Sequence, residues 1–386
     1  MKARQSANDA RDDSACAAPP GQRPREPISS RAAAAAISPS RILIVKLTSV
    51  GDVLHAFPAV TAIRRRFPEA HLAWLVDYRA ADVVAMSPDV DEIIALGAPR
   101  EGGAFGRPTF AEHLGALREV RAHRFDVVVD MQGLLKSGAF TYLSGAGVRI
   151  GFGDARIGNR WATNVKLSSL QPRLHATEAY CAFATVLGAE PRRHEFRMCV
   201  PDADARASEQ LLAQEGVAAD AAMAAIVPGS AWPSKRWPPE HFAELSACLG
   251  TQHGMRVIVL GYRDDAEAAD LIVDRCSQDA ASLAGKTTLG QAIAVAARCK
   301  LVVGGDTGLV QVAAAMGVPT VAIYGPTDPS LTGPVGPRVR TVQHTVGCWP
   351  CRERRCEHWE CMRELRPETV CEAAAELLDV GTGAAP

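Results

Sequence analysis

The chain has 386 residues and is 47% apolar, enough for two domains of roughly 150–200 residues and their tails. Its 42 Lys/Arg and 43 Asp/Glu leave a net charge of −1 and aromatic residues make up 5%, so the basic stripe with interleaved aromatics of a nucleic-acid binder is excluded. No apolar run reaches the roughly 18 residues of a membrane span, and the N-terminus lacks the basic-then-apolar order of a signal peptide, so a cytoplasmic location is expected.

Residues 1–39, rich in Ala, Pro, Arg and Ser, carry no pattern that would bury a face and are expected to form a disordered extension. From Arg41 short β-branched runs alternate with helical segments, the pattern of a parallel sheet with crossover helices. Strands are expected at Ile42–Lys46, Leu72–Val76, Glu92–Leu96 and Val127–Asp130, with helices over Pro58–Phe67 and Glu112–His123. Residues 41–200 hold about 20 basic against about 16 acidic side chains, a bias that suits an anionic partner. The densest basic cluster, Arg64-Arg65-Arg66, reads equally well as a solvated helix end.

The first strand-to-helix turn, Lys46-Leu47-Thr48-Ser49-Val50-Gly51-Asp52, lacks the GxGxxG spacing of a dinucleotide site and argues against a nicotinamide oxidoreductase. A single glycine precedes an acid at the helix start. Asp52 there reads either as a general base at a cleft lip or as a complement to the helix N-terminus, and His55 as a packing or supporting residue.

Pro201–Ala219 reads as a linker running into a helix. A second series follows, with strands expected at Ala225–Val227, Val257–Leu260, Ser282–Leu283, Leu301–Val303 and Thr320–Tyr324. Within it, Val302–Pro329 is the densest motif: a buried strand, a Gly304-Gly305-Asp306-Thr307-Gly308 turn, a helix from Leu309, and a second loop, Gly325-Pro326-Thr327-Asp328-Pro329, at the same sheet edge. Amides at that helix start favour an anion such as a diphosphate, Thr307 adds a hydroxyl, and ligands of open α/β sheets collect at this edge. The plainer reading is an ordinary turn in which Asp306 caps the helix.

The fold class expected is therefore α/β: two Rossmann-like parallel-sheet domains, residues 40–205 and 206–346, facing a cleft. A Cys-rich tail and final helix fill 347–386, with the helix, Pro367–Leu378, expected to pack back on the first domain. Cys348, Cys351, Cys356 and Cys361 can hold a structural zinc, remain reduced packing thiols or pair as disulfides, and their spacing leaves all three open. Cys181, Cys248 and Cys299 sit in apolar helical patterns and read as core thiols.

Five stretches, LIVKLTSVGDVLHAFPAV (43–60), DMQGLLKSG (130–138), HATEAYCAFATVLG (175–188), PGSAWPSKRWPPEHF (228–242) and the GGDTG segment through Pro329, together resemble glycosyltransferase family nine, the ADP-heptose:lipopolysaccharide heptosyltransferases. They occur in the family's order over about 41–340, and DMQGLLKS is most like the heptosyltransferase I branch. The resemblance implies a GT-B fold and a metal-independent, inverting transfer of heptose from ADP-heptose to the lipopolysaccharide inner core, either Kdo-lipid A or a heptosyl-Kdo acceptor. It also implies a peripheral enzyme at the cytoplasmic face of the inner membrane that requires no cofactor.

Matched position by position, Asp52 is implied as the base and Lys235 as the lysine that meets the donor phosphates. Ser230, Asp265, Thr287, Asp306, Thr307, Gly308 and Gln311 are implied on the donor side. Gly51, Gln132, Gly133, Lys136 and Ser137 are implied on the acceptor side. Two departures stand out: Gln311 replaces the family's usual His, and DARIGNRW around Arg156 lacks the common Ala-Arg-Glu. Transfer of another nucleotide sugar, and a non-catalytic sugar-nucleotide-binding relative, are the alternatives.

Overall fold

The computed structural model describes residues 36–99, 106, 108–153, 159–167, 174–276 and 280–379; most of the expected N-terminal extension, and Arg156, lie outside these. The first series comprises β1 (Arg41–Val45), α1 (Val50–His55), α2 (Phe57–Arg66), β2 (His71–Asp77), α3 (Ala81–Ala85), β3 (Glu92–Leu96), α4 (Phe110–Ala122) and β4 (Val127–Asp130). It continues through α5 (Leu135–Leu143), β5 (Val148–Phe152), α6 (Asn159–Ala162), β6 (Val165–Leu167) and α7 (Ala176–Val186). The second series begins with α8 (Asp202–Gln214), β7 (Met223–Val227), α9 (Pro239–His253), β8 (Arg256–Val259), α10 (Ala266–Arg275) and β9 (Ala280–Ser282). It ends with α11 (Leu289–Arg298), β10 (Leu301–Gly305), α12 (Gly308–Ala315), β11 (Thr320–Tyr324), α13 (Pro329–Thr332), β12 (Val339–Gln343), α14 (Glu360–Arg363) and α15 (Pro367–Asp379).

All strand pairs are parallel, in two six-stranded sheets ordered β3-β2-β1-β4-β5-β6 and β12-β11-β10-β7-β8-β9. Renumbered from its own first strand, the second sheet has the same 3-2-1-4-5-6 order as the first. Each order reverses between two central strands, β1 and β4 in one sheet and β7 and β10 in the other. Loops leaving those strands diverge to opposite faces and open a crevice, the place where such sheets bind ligands. The four loops are the ones that carry SVGD, DMQG, PGS and GDTG.

Strands β3, β4 and β11 coincide with the expected spans, and the other expected strands shift by one or two residues. β5, β6 and β12 were not expected. Each lies in the outer part of a sheet, and the polar residues in VRIGF, VKL and VRTVQ dilute the apolar pattern of a buried strand.

Two tail expectations are corrected. Helix α15 packs on the second domain rather than the first: Val370, Ala374 and Leu377, one stripe at i, i+4 and i+7, join Trp237, Phe242, Leu245 and Ile323 in that domain's core. Arg340 on β12 pairs with Glu376 at 2.9 Å. Cys248 is not a free core thiol but forms a disulfide with Cys371, joining α9 to α15 across 123 residues. A reading that assumed a reducing compartment had no reason to pair them.

Gly304 shows how tightly α12 lies on its sheet. A Cβ there would sit 2.7 Å from the Val227 carbonyl oxygen and from Val310 Cγ2, with strand and helix backbone fixed on both sides. Gly304→Ala is expected to destabilise the protein by about 1–3 kcal/mol through overpacking. Thermal denaturation checks this, and an unchanged Tm would show that the helix can lift off the sheet without loss.

Candidate functional site

The second-domain half of the site is built around Asp306, the residue after β10. Its carboxylate accepts from Lys235 Nζ (2.5 Å) and Thr327 Oγ1 (2.9 Å) on Oδ2, and from Tyr324 OH (3.3 Å) and Gln311 Nε2 (3.4 Å) on Oδ1. Burial and the adjacent Asp306 charge push the Tyr324 phenol well above its ordinary value, so it stays a donor. Asp306 does not cap α12. Thr307 is the N-cap, in extended backbone, and its hydroxyl makes no capping bond. The amides of the first turn from Gly308 are those that a helix leaves without carbonyl partners.

Ser230, following β7, is buried and donates to the Asp306 carbonyl at 3.2 Å. Arg236 Nε donates to the Ser230 carbonyl at 3.1 Å and its guanidinium lies 3.4 Å from Asp265. Asp265 is buried against Gly229, where a Cβ would fall 2.2 Å from its Oδ2, and it accepts from Tyr262 N at 2.9 Å. Thr287 is half-buried just ahead of α11.

In the first domain Asp52 occupies the third position of α1. Its Oδ2 accepts from Ser49 N (3.2 Å) and Ser49 Oγ (3.1 Å), so the helix-complementing role holds. The carboxylate also accepts from Tyr180 OH. Lys46, absent from the sequence candidates, is 3% exposed, lies 4.8 Å from the Tyr180 ring and faces both Asp52 and Asp130. Burial lowers its ammonium below the usual lysine value and the two carboxylates oppose that shift. The signal available in the sequence is a lysine directly after the four apolar, buried residues Ile42–Val45. Tyr180, Tyr324 and Thr327 were missed for the opposite reason, since their types and spacing resemble ordinary core and loop residues.

His55 is buried. It hydrogen bonds with Thr177 Oγ1 at 3.0 Å, and burial together with the neighbouring His175 holds it down at about 4.

The DMQG turn hangs on buried Asp130, whose carboxylate accepts from Gln132 N and Gly133 N (3.0 Å each), Thr141 Oγ1 (3.1 Å) and Asn159 Nδ2 (2.6 Å). Burial still raises its pKa above the usual carboxylate value against those donors. Gly133 has φ 68°, which only glycine adopts without strain. Gln132 Oε1 accepts from Leu47 N (2.9 Å) and Thr48 N (3.1 Å), locking this turn to the SVGD turn. Lys136 is half-buried near Asp77 and Arg79, and burial lowers its pKa. Ser137 is fully buried, and its hydroxyl donates to the Leu134 carbonyl at 2.9 Å and accepts from Leu134 N at 3.1 Å.

The two halves meet at their motif glycines. A Cβ on Gly51 would lie 2.2 Å from Gln311 Oε1, and one on Gly308 would lie 2.3 Å from Val50 Cγ1, so α1 and α12 approach start to start across the cleft. Gln311 Nε2 also donates to the Thr332 carbonyl at 3.0 Å, while its Oε1 is buried without a protein donor. Further cross-domain bonds run from His175 Nε2 to the Gly333 carbonyl (3.0 Å) and from Gly290 N to Asp82 Oδ2 (2.9 Å).

The tail braces the donor loop. Ser234 Oγ donates to the Glu353 carbonyl (2.5 Å), Arg352 N to the Pro326 carbonyl (2.9 Å), and Lys235 and Arg354 both lie over the Trp232 ring. A cavity of about 620 Å³ between Arg236, Asp265 and the tail residues Arg355, Cys356 and Trp359 lies beside this loop, and neither Lys235 nor Asp306 lines it. Cys348, Cys351, Cys356 and Cys361 are free thiols; burial and the other three push Cys361 up to about 11.

Residues 114–361 match the profile of glycosyltransferase family 9 (heptosyltransferase). Lipopolysaccharide heptosyltransferase 1 of Salmonella typhimurium is 30% identical over 308 residues, covering 77% of this chain and 92% of that protein. Lipopolysaccharide heptosyltransferase 2 of Escherichia coli is 26% identical over 350 residues, covering 88% and 98%. Among solved structures, the E. coli ADP-heptose lipopolysaccharide heptosyltransferase II superposes with TM-score 0.73 at 24% identity, covering 89% and 100%. The E. coli heptosyltransferase WaaC with ADP superposes with TM-score 0.69 at 28%, covering 87% and 99%. The paired sheets are thus those of a GT-B enzyme, and with most of its length inside the family profile the chain belongs to glycosyltransferase family 9, the heptosyltransferases.

Proposed function

We propose that the protein moves heptose from ADP-heptose to a lipopolysaccharide inner-core acceptor, Kdo-lipid A or heptosyl-Kdo, with inversion at the reacting carbon. The observation that carries this reading is the meeting of Gly51-Asp52 with Asp306-Gly308 and Gln311 at the switch points of two sheets. Similar enzymes were solved with ADP and with ADP-2-deoxy-2-fluoro heptose.

In this reading the donor diphosphate lies against the first turn of α12, and Lys235 turns from Asp306 to the phosphate oxygens. Ser230 and Thr307 offer hydroxyls to the same group, while Asp265 and Thr287 flank the nucleoside. Asp306 and the unpartnered Gln311 Oε1 accept from sugar hydroxyls. Asp52 removes the proton of the acceptor hydroxyl as it attacks, and the ADP leaves from the opposite face. Lysine and helix amides neutralise the diphosphate, so no catalytic metal is required. Gln132, Gly133 and Lys136 border the acceptor, and the tail thiols belong to the brace under the donor loop.

The acceptor is a lipid, so the enzyme works at the inner-membrane surface as a peripheral protein. No helix among the described residues is long and apolar enough to cross a membrane. Phe110, Leu135, Tyr142 and Trp161 expose large apolar surface on the first domain, which suits a shallow interfacial contact.

A ligand that binds only the folded state raises its stability by RT ln(1 + [L]/Kd), about 2.7 kcal/mol at a hundredfold excess over Kd. ADP is expected to raise the Tm clearly, UDP, GDP and NAD little, and ADP-heptose to support transfer to a Kdo acceptor. Stabilisation by UDP but not ADP would remove the heptose donor.

A further inference from the structure

A second cluster of ligating side chains lies at the opposite edge of the first sheet, outside the cleft. We propose that His71, Glu92 and His123 form a zinc site that clamps β2, β3 and the end of α4. His71 opens β2, Glu92 opens β3 and His123 is the C-cap of α4. Register pairs Ala73 with Glu92, so His71, two residues before Ala73, projects from the same face as Glu92.

The geometry is that of three converging donors. Glu92 offers one oxygen to each ring, Oε2 at 2.8 Å from His71 Nε2 and Oε1 at 3.1 Å from His123 Nε2. The rings stack at 13° with centroids 5.8 Å apart, and one ligand atom from each residue falls within 4.8 Å of the others. Two imidazole nitrogens and a carboxylate oxygen are a zinc donor set, with bonds of about 2.0–2.2 Å. The three side chains are between one fifth and one third exposed, so water can take the fourth position.

A carboxylate and an aromatic ring border the two histidines. Asp91 Oδ2 lies 4.0 Å from His71 Nδ1 and is itself fixed by Leu72 N (2.7 Å) and Arg64 (2.5 Å). The His123 ring packs on Phe125 at 5.3 Å. Without metal, His71 Nε2–H donates to Glu92 Oε2, and His123 Nε2 lies 3.1 Å from Oε1. On binding, the proton of each ring moves to Nδ1, freeing the Nε2 lone pair, and on His71 the new N–H faces Asp91. Strand β2 runs seven residues, His71 to Asp77, so the site sits about 20 Å from the cleft edge at roughly 3.3 Å per residue. The metal therefore acts as a clamp and takes no part in transfer.

Equilibrium dialysis of the full chain against micromolar Zn²⁺ tests this, comparing the native protein with His123→Asn and Glu92→Gln. Both variants are expected to hold one zinc fewer per chain, whatever the tail thiols bind. Glu92→Gln keeps an acceptor between the rings and so guards against misfolding, which metal-free circular dichroism checks. With Co²⁺, the absorption lost in the variants is expected to be ligand-field bands with no thiolate-to-cobalt charge-transfer component. Equal stoichiometry in all three proteins, or a lost component that is thiolate in origin, overturns the site.

Discussion

Asp52→Asn is expected to slow transfer by about 100- to 10,000-fold, the usual contribution of a positioned general base, while ADP binding persists. The substitution separates the helix-complementing role seen in the structure from the proposed role as base. As a helix complement, Asp52 accepts from Ser49 N and Ser49 Oγ, and an Asn carbonyl can accept the same bonds. As a base it needs a negative charge that Asn lacks. A purely structural residue would therefore tolerate Asn, whereas a base would not. Steady-state kinetics with ADP-heptose, together with the ADP-induced thermal shift, checks the prediction; turnover like that of the native enzyme would sink the assignment. Lys46 and Tyr180 border the carboxylate.

Lys235→Ala is expected to lower kcat/KM by roughly 10²–10³, the 3–4 kcal/mol typical of removing one preorganised electrostatic donor. Unlike Asp52→Asn, it is expected to weaken ADP binding as well, because the proposed lysine–phosphate contact exists in both ground and transition states. Lys235 and Asp306 are 14% and 8% exposed, so the truncation also leaves a mostly buried carboxylate with neutral donors only, from Thr327, Tyr324 and Gln311. A lower Tm without nucleotide is the expected companion result. Lys235→Arg restores charge but not shape, since a planar guanidinium fork does not reproduce the compact ammonium that meets Asp306 Oδ2 at 2.5 Å. Unchanged kcat/KM and ADP affinity in Lys235→Ala would remove Lys235 from the site.

Asp52 was picked out from its own turn, whereas Lys235 was named only through the family resemblance, and the difference is local. Asp52 and Asp306 each stand in a glycine turn between an apolar strand and a helix, and strand, turn and helix starts are specified by residues only a few positions apart. The same locality explains the limits of the reading. Ser137 was placed on the acceptor side by the resemblance, and the fold buries it with its hydroxyl bonded to the backbone of Leu134, the N-cap of its helix. Lys46 reads as the polar end of a strand, yet the fold places it between two carboxylates.

The alternation of apolar runs and helical segments determined, from sequence alone, two parallel-sheet domains and the edges on which their ligand loops lie. The common strand order, and with it the four loops that become neighbours, was decided only in three dimensions. Lys235 reaches Asp306 across 71 residues, and Gly51 meets Gln311 from the other domain. Helix α15 was placed by the same kind of long-range choice, since an apolar stripe specifies that a helix will be buried but not against which surface. Short-range periodicity fixes elements because its interactions span a turn or a strand; pairing between elements depends on the order in which strands are laid into a sheet, which no single segment encodes.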